Sequence, residues 1–220
     1  MYHPNRAVPI AFAALVAFSC CFAAVLGEDK LNVDVYYETL CPDSMYFITK
    51  QLTPAFNGGL KDHLNVNLVP FGKASWTEEG NNVHSSCQHG PMECHGNKIH
   101  ACAIYEIENT VKPEDQQQRM IDFVGCAMTS FDPEAALKQC AQTQGFNDEF
   151  VKNVENCSNS KQGDDLFMKH GQKTKGFQSP LEFVPSIVIN GEKSSEAFRN
   201  FTGVVCSQIP GGNQVPICKQ

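Results

Sequence analysis

Apolar and polar residues alternate along two short stretches near the start of the chain. Leu31, Val33 and Val35 alternate with Asn32 and Asp34 before the pair Tyr36-Tyr37, which predicts a strand. Leu64 to Phe71 alternates in the same way and predicts a second strand. Between them, Met45, Phe47, Ile48 and Leu52 recur at helical spacing after Cys41-Pro42-Asp43-Ser44. Pro42 suits the first turn of a helix, where its missing N–H is no loss. Asn57-Gly58-Gly59 marks that helix's end. Strand, helix and strand within about 40 residues predict a βαβ unit with parallel strands and a right-handed crossover.

The pattern then changes. Residues 72–97 are polar and read as a loop, and from Lys98 the spacing turns helical. Met120, Phe123, Val124 and Ala127 fall on one helical face, and Pro133 opens a helix over Pro133–Cys140. Phe146–Val154 and Asp164–His170 carry weaker helical patterns. Leu181 to Ile189 is extended and followed by the turn signal Asn190-Gly191. A last amphipathic helix is expected from Ser195 to Gln208, with Ala197, Phe198, Phe201, Val204 and Val205 on one face. A βαβ unit and a later strand-turn-helix thus flank a helical insertion at about residues 72–178. That order is the one expected of an α/β, thioredoxin-like fold with a helical insert, here disulfide-rich.

The first segment stands outside this pattern. After His3 and Arg6 the chain is apolar from Ala7 to Leu26, and Glu28-Asp29-Lys30 ends the run. Small or slim residues at Val25-Leu26-Gly27 suit a signal peptidase, so residues 1–27 read as a secretory signal peptide and 28–220 as one domain. A membrane anchor is the rival reading, opposed by Cys20, Cys21, two prolines and the break at Gly27. No later stretch is apolar enough to span a bilayer.

Composition agrees with a secreted globular protein. The chain has 220 residues, 42% hydrophobic and 19% charged, which excludes a disordered chain. Its net charge of -7 and lack of a basic cluster argue against a nucleic-acid partner. The 11 cysteines point to an oxidising compartment. Cys20 and Cys21 leave with the signal peptide. Cys41, Cys87, Cys94, Cys102, Cys126, Cys140, Cys157, Cys206 and Cys218 remain, an odd set that flags one free or intermolecular thiol.

Cys41 is the candidate for that thiol. It follows a strand and opens a helix, where unpaired N–H groups and the helix dipole favour the thiolate, the nucleophile of disulfide exchange. The usual redox pair is Cys-x-x-Cys. Here Ser44 takes the place of the resolving cysteine: its hydroxyl can donate to the Cys41 sulfur but cannot resolve a mixed disulfide. Asp43 opposes the thiolate by charge. The competing reading pairs Cys41 with one of the other eight cysteines. If Cys41 is free, those eight can form four disulfides, with roughly a hundred pairings open to them. Pro185, in Val184-Pro185, is the candidate cis-proline facing Cys41; its bland alternative is a trans-proline at a strand start.

Residues 87–102 carry three cysteines (Cys87, Cys94, Cys102) and three histidines (His89, His95, His100). Their spacing lacks the tight Cys-x2-4-Cys knuckle of structural zinc sites, so disulfides are the better reading and no metal is expected. The run reads Cys87-Gln88-His89-Gly90-x2-Glu93-Cys94-x2-Asn97-x4-Cys102. It resembles, at every fixed position, the signature of the gamma-interferon-inducible lysosomal thiol reductase family. Tyr36-Tyr37-Glu38-x-Leu40-Cys41, Leu68-Val69-Pro70-Phe71-Gly72 and Phe183-Val184-Pro185 with Asn190-Gly191 are similar to that family too. The resemblance spans about residues 31–218. It implies a thioredoxin-like fold, thiol-disulfide chemistry on protein substrates, delivery to lysosomes or secretion, N-glycans and a role in immunity. The family's Cys-x-x-Cys is Cys-x-x-Ser here, so only the nucleophilic role carries over, to Cys41.

Asn156-Cys157-Ser158 and Asn200-Phe201-Thr202 are glycan acceptor triplets, although Cys157 is also a candidate disulfide partner. Three functions remain in view. One is a single-cysteine redox protein of weak or lost reductase activity, released from its substrate by an external thiol such as glutathione. Another is a non-enzymatic secreted protein that recognises a protein or cell surface. The third, a glutathione-assisted metal-cluster carrier, fits an oxidising compartment poorly.

Overall fold

The computed structural model describes Met1, residues 30–80 and residues 82–219. Apart from Met1, the expected signal peptide at 1–27 lies outside the described residues. The chain runs β1 (Leu31–Tyr37), α1 (Pro42–Tyr46), α2 (Thr53–Ala55) and β2 (Leu64–Pro70), then a hairpin of β3 (Ser75–Glu79) and β4 (Asn82–Ser86). Five helices follow: α3 (Pro91–Thr110), α4 (Pro113–Ala127), α5 (Pro133–Thr143), α6 (Asp148–Ser158) and α7 (Lys161–Phe177). β5 (Ser186–Ile189), β6 (Glu192–Lys193) and α8 (Phe201–Gln208) close the fold.

The main sheet has the order β2-β1-β5-β6. β1 and β2 are parallel in the register Val33↔Val66 and Val35↔Leu68, whereas β1 and β5 are antiparallel with Val35 opposite Ile187. Val33, Val35, Tyr37 and Ile187 are buried in the principal core. That core also holds Phe47, Phe56, Phe123, Phe150 and Phe201, each worth roughly 1.5–3 kcal/mol of apolar burial. The helix after Cys41 is not uniform. Its α-helical pieces α1 and α2 alternate with wider π-helical turns at Phe47–Leu52 and Phe56–Leu60. Pro54, which has no N–H to give to the ladder, sits within it.

The polar stretch at 72–97 is not a plain loop. It contains the β3–β4 hairpin, and α3 begins at Pro91 rather than at Lys98. Gly90, at φ 84°, turns the chain, and Pro91 opens the helix. The hydropathy pattern hides this turn because the buried face of α3 starts with Glu93, Cys94, Asn97 and His100. The weaker helical patterns extend to full helices α6 and α7. The last helix starts at Phe201 instead of Ser195, because the Asn200 side chain caps it by accepting from the Gly203 N–H at 3.0 Å.

Among the described residues four disulfides tie the fold: Cys87–Cys94, Cys102–Cys157, Cys126–Cys140 and Cys206–Cys218. The second joins α3 to α6 and the third joins α4 to α5, so the insertion is held by its own crosslinks. Cys41 is free. Among the described residues no helix is long and apolar enough to cross a membrane.

Candidate functional site

Cys41 leaves the end of β1 in an extended conformation (φ −72°, ψ 120°), with Pro42 as the first helical residue. Its carbonyl accepts from the Met45 N–H at 2.9 Å, which closes the first turn. The thiol points across to the segment that leads into β5, with Sγ 3.9 Å from the Val184 carbonyl. The Val184–Pro185 bond is cis. Cys41 is only 7% exposed and packs with Tyr36, Val69, Leu181, Val184 and Val188. Ser44 is fully buried, and its hydroxyl accepts the Glu38 N–H at 3.3 Å. The hydroxyl therefore closes the loop between β1 and α1, and its hydrogen bond is to Glu38 rather than to the Cys41 sulfur.

The signature run converges on that same loop. The Thr39 N–H donates to Asn97 Oδ1 at 3.0 Å, and the Thr39 hydroxyl donates to the Glu93 carbonyl at 3.2 Å. His89 Nδ1 lies 2.6 Å from Glu93 Oε2 and 3.7 Å from Glu38 Oε2. Glu38 and Glu93 are both fully buried. Burial pushes the Glu38 carboxyl up to about 7; the Glu93 carboxylate adds to the rise, while the Lys73 N–H, His89 and the Lys73 charge oppose it. Gly72, at φ 61°, has no room for a Cβ, which would overlap the Glu38 carboxyl. In the sequence Glu38, His89, Glu93 and Asn97 stand out only as part of a family pattern. For Glu93 and Asn97 the signal is the spacing of polar residues along the buried face of α3.

Beyond Glu93 and Asn97, α3 presents His100, whose Nδ1 lies 2.9 Å from the Tyr37 hydroxyl. Burial lowers the His100 imidazole from 6.5 to about 3. Between those values the unfolded chain binds a proton that the folded chain refuses, so stability is lost as pH falls through that window. At about pH 5 the loss is about 2 kcal/mol, on the order of 1.4 kcal/mol per pH unit. Thermal unfolding at neutral pH and at about pH 5 should therefore show a smaller acid-induced drop for His100→Gln than for the wild type. Equal drops would mean that His100 is not the group whose protonation destabilises the fold.

A shelf of aromatic rings gathers around Phe198. Phe183, next to Val184, meets Phe198 edge-on at 5.6 Å, and Tyr46 meets Phe198 at 6.2 Å. Tyr46 is 50% and Phe183 42% exposed. The glycan triplets lie elsewhere: Asn156 is exposed on α6 beside the crosslinked Cys157, and Asn200 is exposed while capping α8.

A free cysteine between a β-strand and a helix, facing a cis-proline segment, on a sheet interrupted by a helical insert, belongs to the thioredoxin-like fold of the DsbA type. Solved structures agree on the fold. DsbA of Chlamydia trachomatis superposes with a TM-score of 0.56 at 13% identity, covering 93% of this chain and 96% of that one. DsbG of Mycobacterium tuberculosis gives 0.51 at 14% identity, over 86% and 84%. The family model for gamma interferon inducible lysosomal thiol reductase matches residues 32–144. GILT-like protein 1 of Drosophila melanogaster is 35% identical over 94% of this chain and 86% of its own length. A gamma-interferon-inducible lysosomal thiol reductase-like protein of Anopheles gambiae is 40% identical over 90% and 85%. The chain belongs to the gamma-interferon-inducible lysosomal thiol reductase family.

Proposed function

We propose that this chain performs single-cysteine thiol–disulfide exchange on protein substrates within the secretory and lysosomal route, and that a complete two-cysteine reductase cycle is weak or lost. The observation that carries the reading is the cysteine inventory: from Cys41 onward eight of nine cysteines are paired, and Cys41 alone is free. The Cys41 thiolate attacks a substrate disulfide. A Cys41–substrate disulfide forms, and the other substrate sulfur leaves as a thiolate. Ser44 has no thiol with which to attack that bond. A second substrate thiol can displace Cys41, giving isomerisation without net electron transfer. Alternatively, two molecules of an external thiol such as glutathione release first Cys41 and then the reduced substrate, and are oxidised to their disulfide. The aromatic shelf of Tyr46, Phe183 and Phe198, whose Phe183 is one residue along from the Val184 that meets the sulfur, supplies an apolar surface for an unfolded substrate segment.

A leader at residues 1–27 and glycans at the exposed Asn156 and Asn200 belong with this reading. Relatives from Carassius auratus and Mus musculus are named lysosomal thiol reductases, which supports the same route. A second reading, a non-enzymatic binding protein on the same fold, is favoured by the near-complete burial of Cys41. Reduction of a protein disulfide with excess small thiol, at acidic and at neutral pH, separates the two. The exchange reading expects slow turnover by the wild type and background for Cys41→Ser. Equal rates for both proteins leave only the binding reading.

A further inference from the structure

Glu38, His89 and Glu93 reach one point from three segments: the end of β1, the turn before α3, and the first turn of α3. One ligand-type atom from each lies within 4.8 Å of the others. Both carboxylates are arranged alike. The Lys73 N–H donates to Glu38 Oε1 at 2.6 Å, and the His89 N–H donates to Glu93 Oε1 at 3.0 Å. Each Oε1 is thus held by backbone, and each Oε2 turns toward His89 Nδ1. That single nitrogen bonds Glu93, and Glu38 Oε2 is left buried with no hydrogen-bond partner.

A buried carboxylate pair with one unpartnered oxygen calls for a positive charge. Among the described residues no lysine or arginine forms an ion pair with either carboxylate. The His89 side chain is 38% exposed and gives the cluster its edge toward solvent.

We propose that Glu38, His89 and Glu93 form a divalent-cation site suited to Zn2+, with water completing the coordination. Two carboxylates and one imidazole are a donor set zinc accepts. Tetrahedral zinc at about 2.1 Å from each ligand sets neighbouring donors about 3.4 Å apart. The Glu38–His89 separation of 3.7 Å is close to that, and the His89–Glu93 contact of 2.6 Å has to open by less than an ångström. The backbone donors on the two Oε1 atoms are the outer partners that orient such ligands. The ion would clamp the loop carrying Cys41 to α3. Sequence spacing does not show the site, because Glu38 is far from the other two donors in the chain and the nearby cysteines form disulfides.

The test is titration of the full chain with zinc chloride at neutral pH against a chromophoric chelator. One zinc per chain is expected for the wild type and for Cys41→Ser, with affinity lower by roughly tenfold or more in His89→Ala and Glu38→Gln. Cobalt in place of zinc should give no thiolate-to-metal absorption band. His89→Ala is the decisive variant, since this half-exposed side chain can be removed without opening the core, and circular dichroism checks its fold. The proposal fails if the wild type takes up no stoichiometric zinc. It also fails if His89→Ala binds as well as the wild type, or if binding disappears in Cys41→Ser.

Discussion

Ser44→Cys should raise disulfide reductase turnover on the order of a hundredfold over the wild type. The step that limits the wild type is release of the mixed disulfide at Cys41, which waits for a thiol from solution. Position 44 lies one helical turn after Cys41, in the buried first turn of α1. A thiol there attacks the Cys41–substrate bond within the molecule, and intramolecular attack at good geometry exceeds a solution thiol by orders of magnitude in effective concentration. The substrate leaves reduced, and a disulfide between positions 41 and 44 is then recycled by the external thiol. The hydroxyl lost in this change accepts only the Glu38 N–H, which a sulfur accepts more weakly, so the loop should persist. Insulin-type turbidity assays with glutathione measure the gain. A variant that folds yet stays at the wild-type rate would mean that Cys41 is not placed for exchange.

Removing the Cys102–Cys157 disulfide, as Cys102→Ala with Cys157→Ala, should destabilise the protein by about 4 kcal/mol. The bond closes a loop of 55 residues, and chain entropy alone assigns a loop of that size about 4 kcal/mol. Both sulfurs are buried where α3 meets α6, so repacking adds to the loss. Removing Cys87–Cys94, with a separation of 7, should cost only about 2 kcal/mol by the same arithmetic. Denaturant unfolding of both double variants gives the comparison. If the short loop proves the more important, the insertion is not held together as described.

The readable parts of the sequence were those where one face of an element is apolar. The alternation in Leu31–Tyr37 and Leu64–Phe71 corresponds to two parallel strands because their inward residues are aliphatic. The beginning of α3 was unreadable for the opposite reason: its inward residues are Glu93, Asn97 and His100, and a polar stripe gives no hydropathy signal. The sequence pattern makes the last helix too long because Ala197 and Phe198 are apolar and pack inward without being helical, before the Asn200 cap. Cys41 was legible from its place between strand and proline. Its contact with Val184 follows from the sequence only through the expectation of a thioredoxin-like fold, since 143 residues separate the two. The convergence of Glu38 with His89 and Glu93 needs the fold itself, because it depends on how closely α3 packs beneath the end of β1.

Whether Cys41 is a single nucleophile with no resolving partner in its own chain is decided by alkylating the unfolded, non-reduced protein and mapping the label by mass spectrometry, before and after incubation with a disulfide-bonded peptide. One labelled cysteine in the mature chain, Cys41, is expected, together with its conversion to a stable mixed disulfide with the peptide. Finding Cys41 in an intramolecular disulfide, or free but without any peptide adduct, would contradict it.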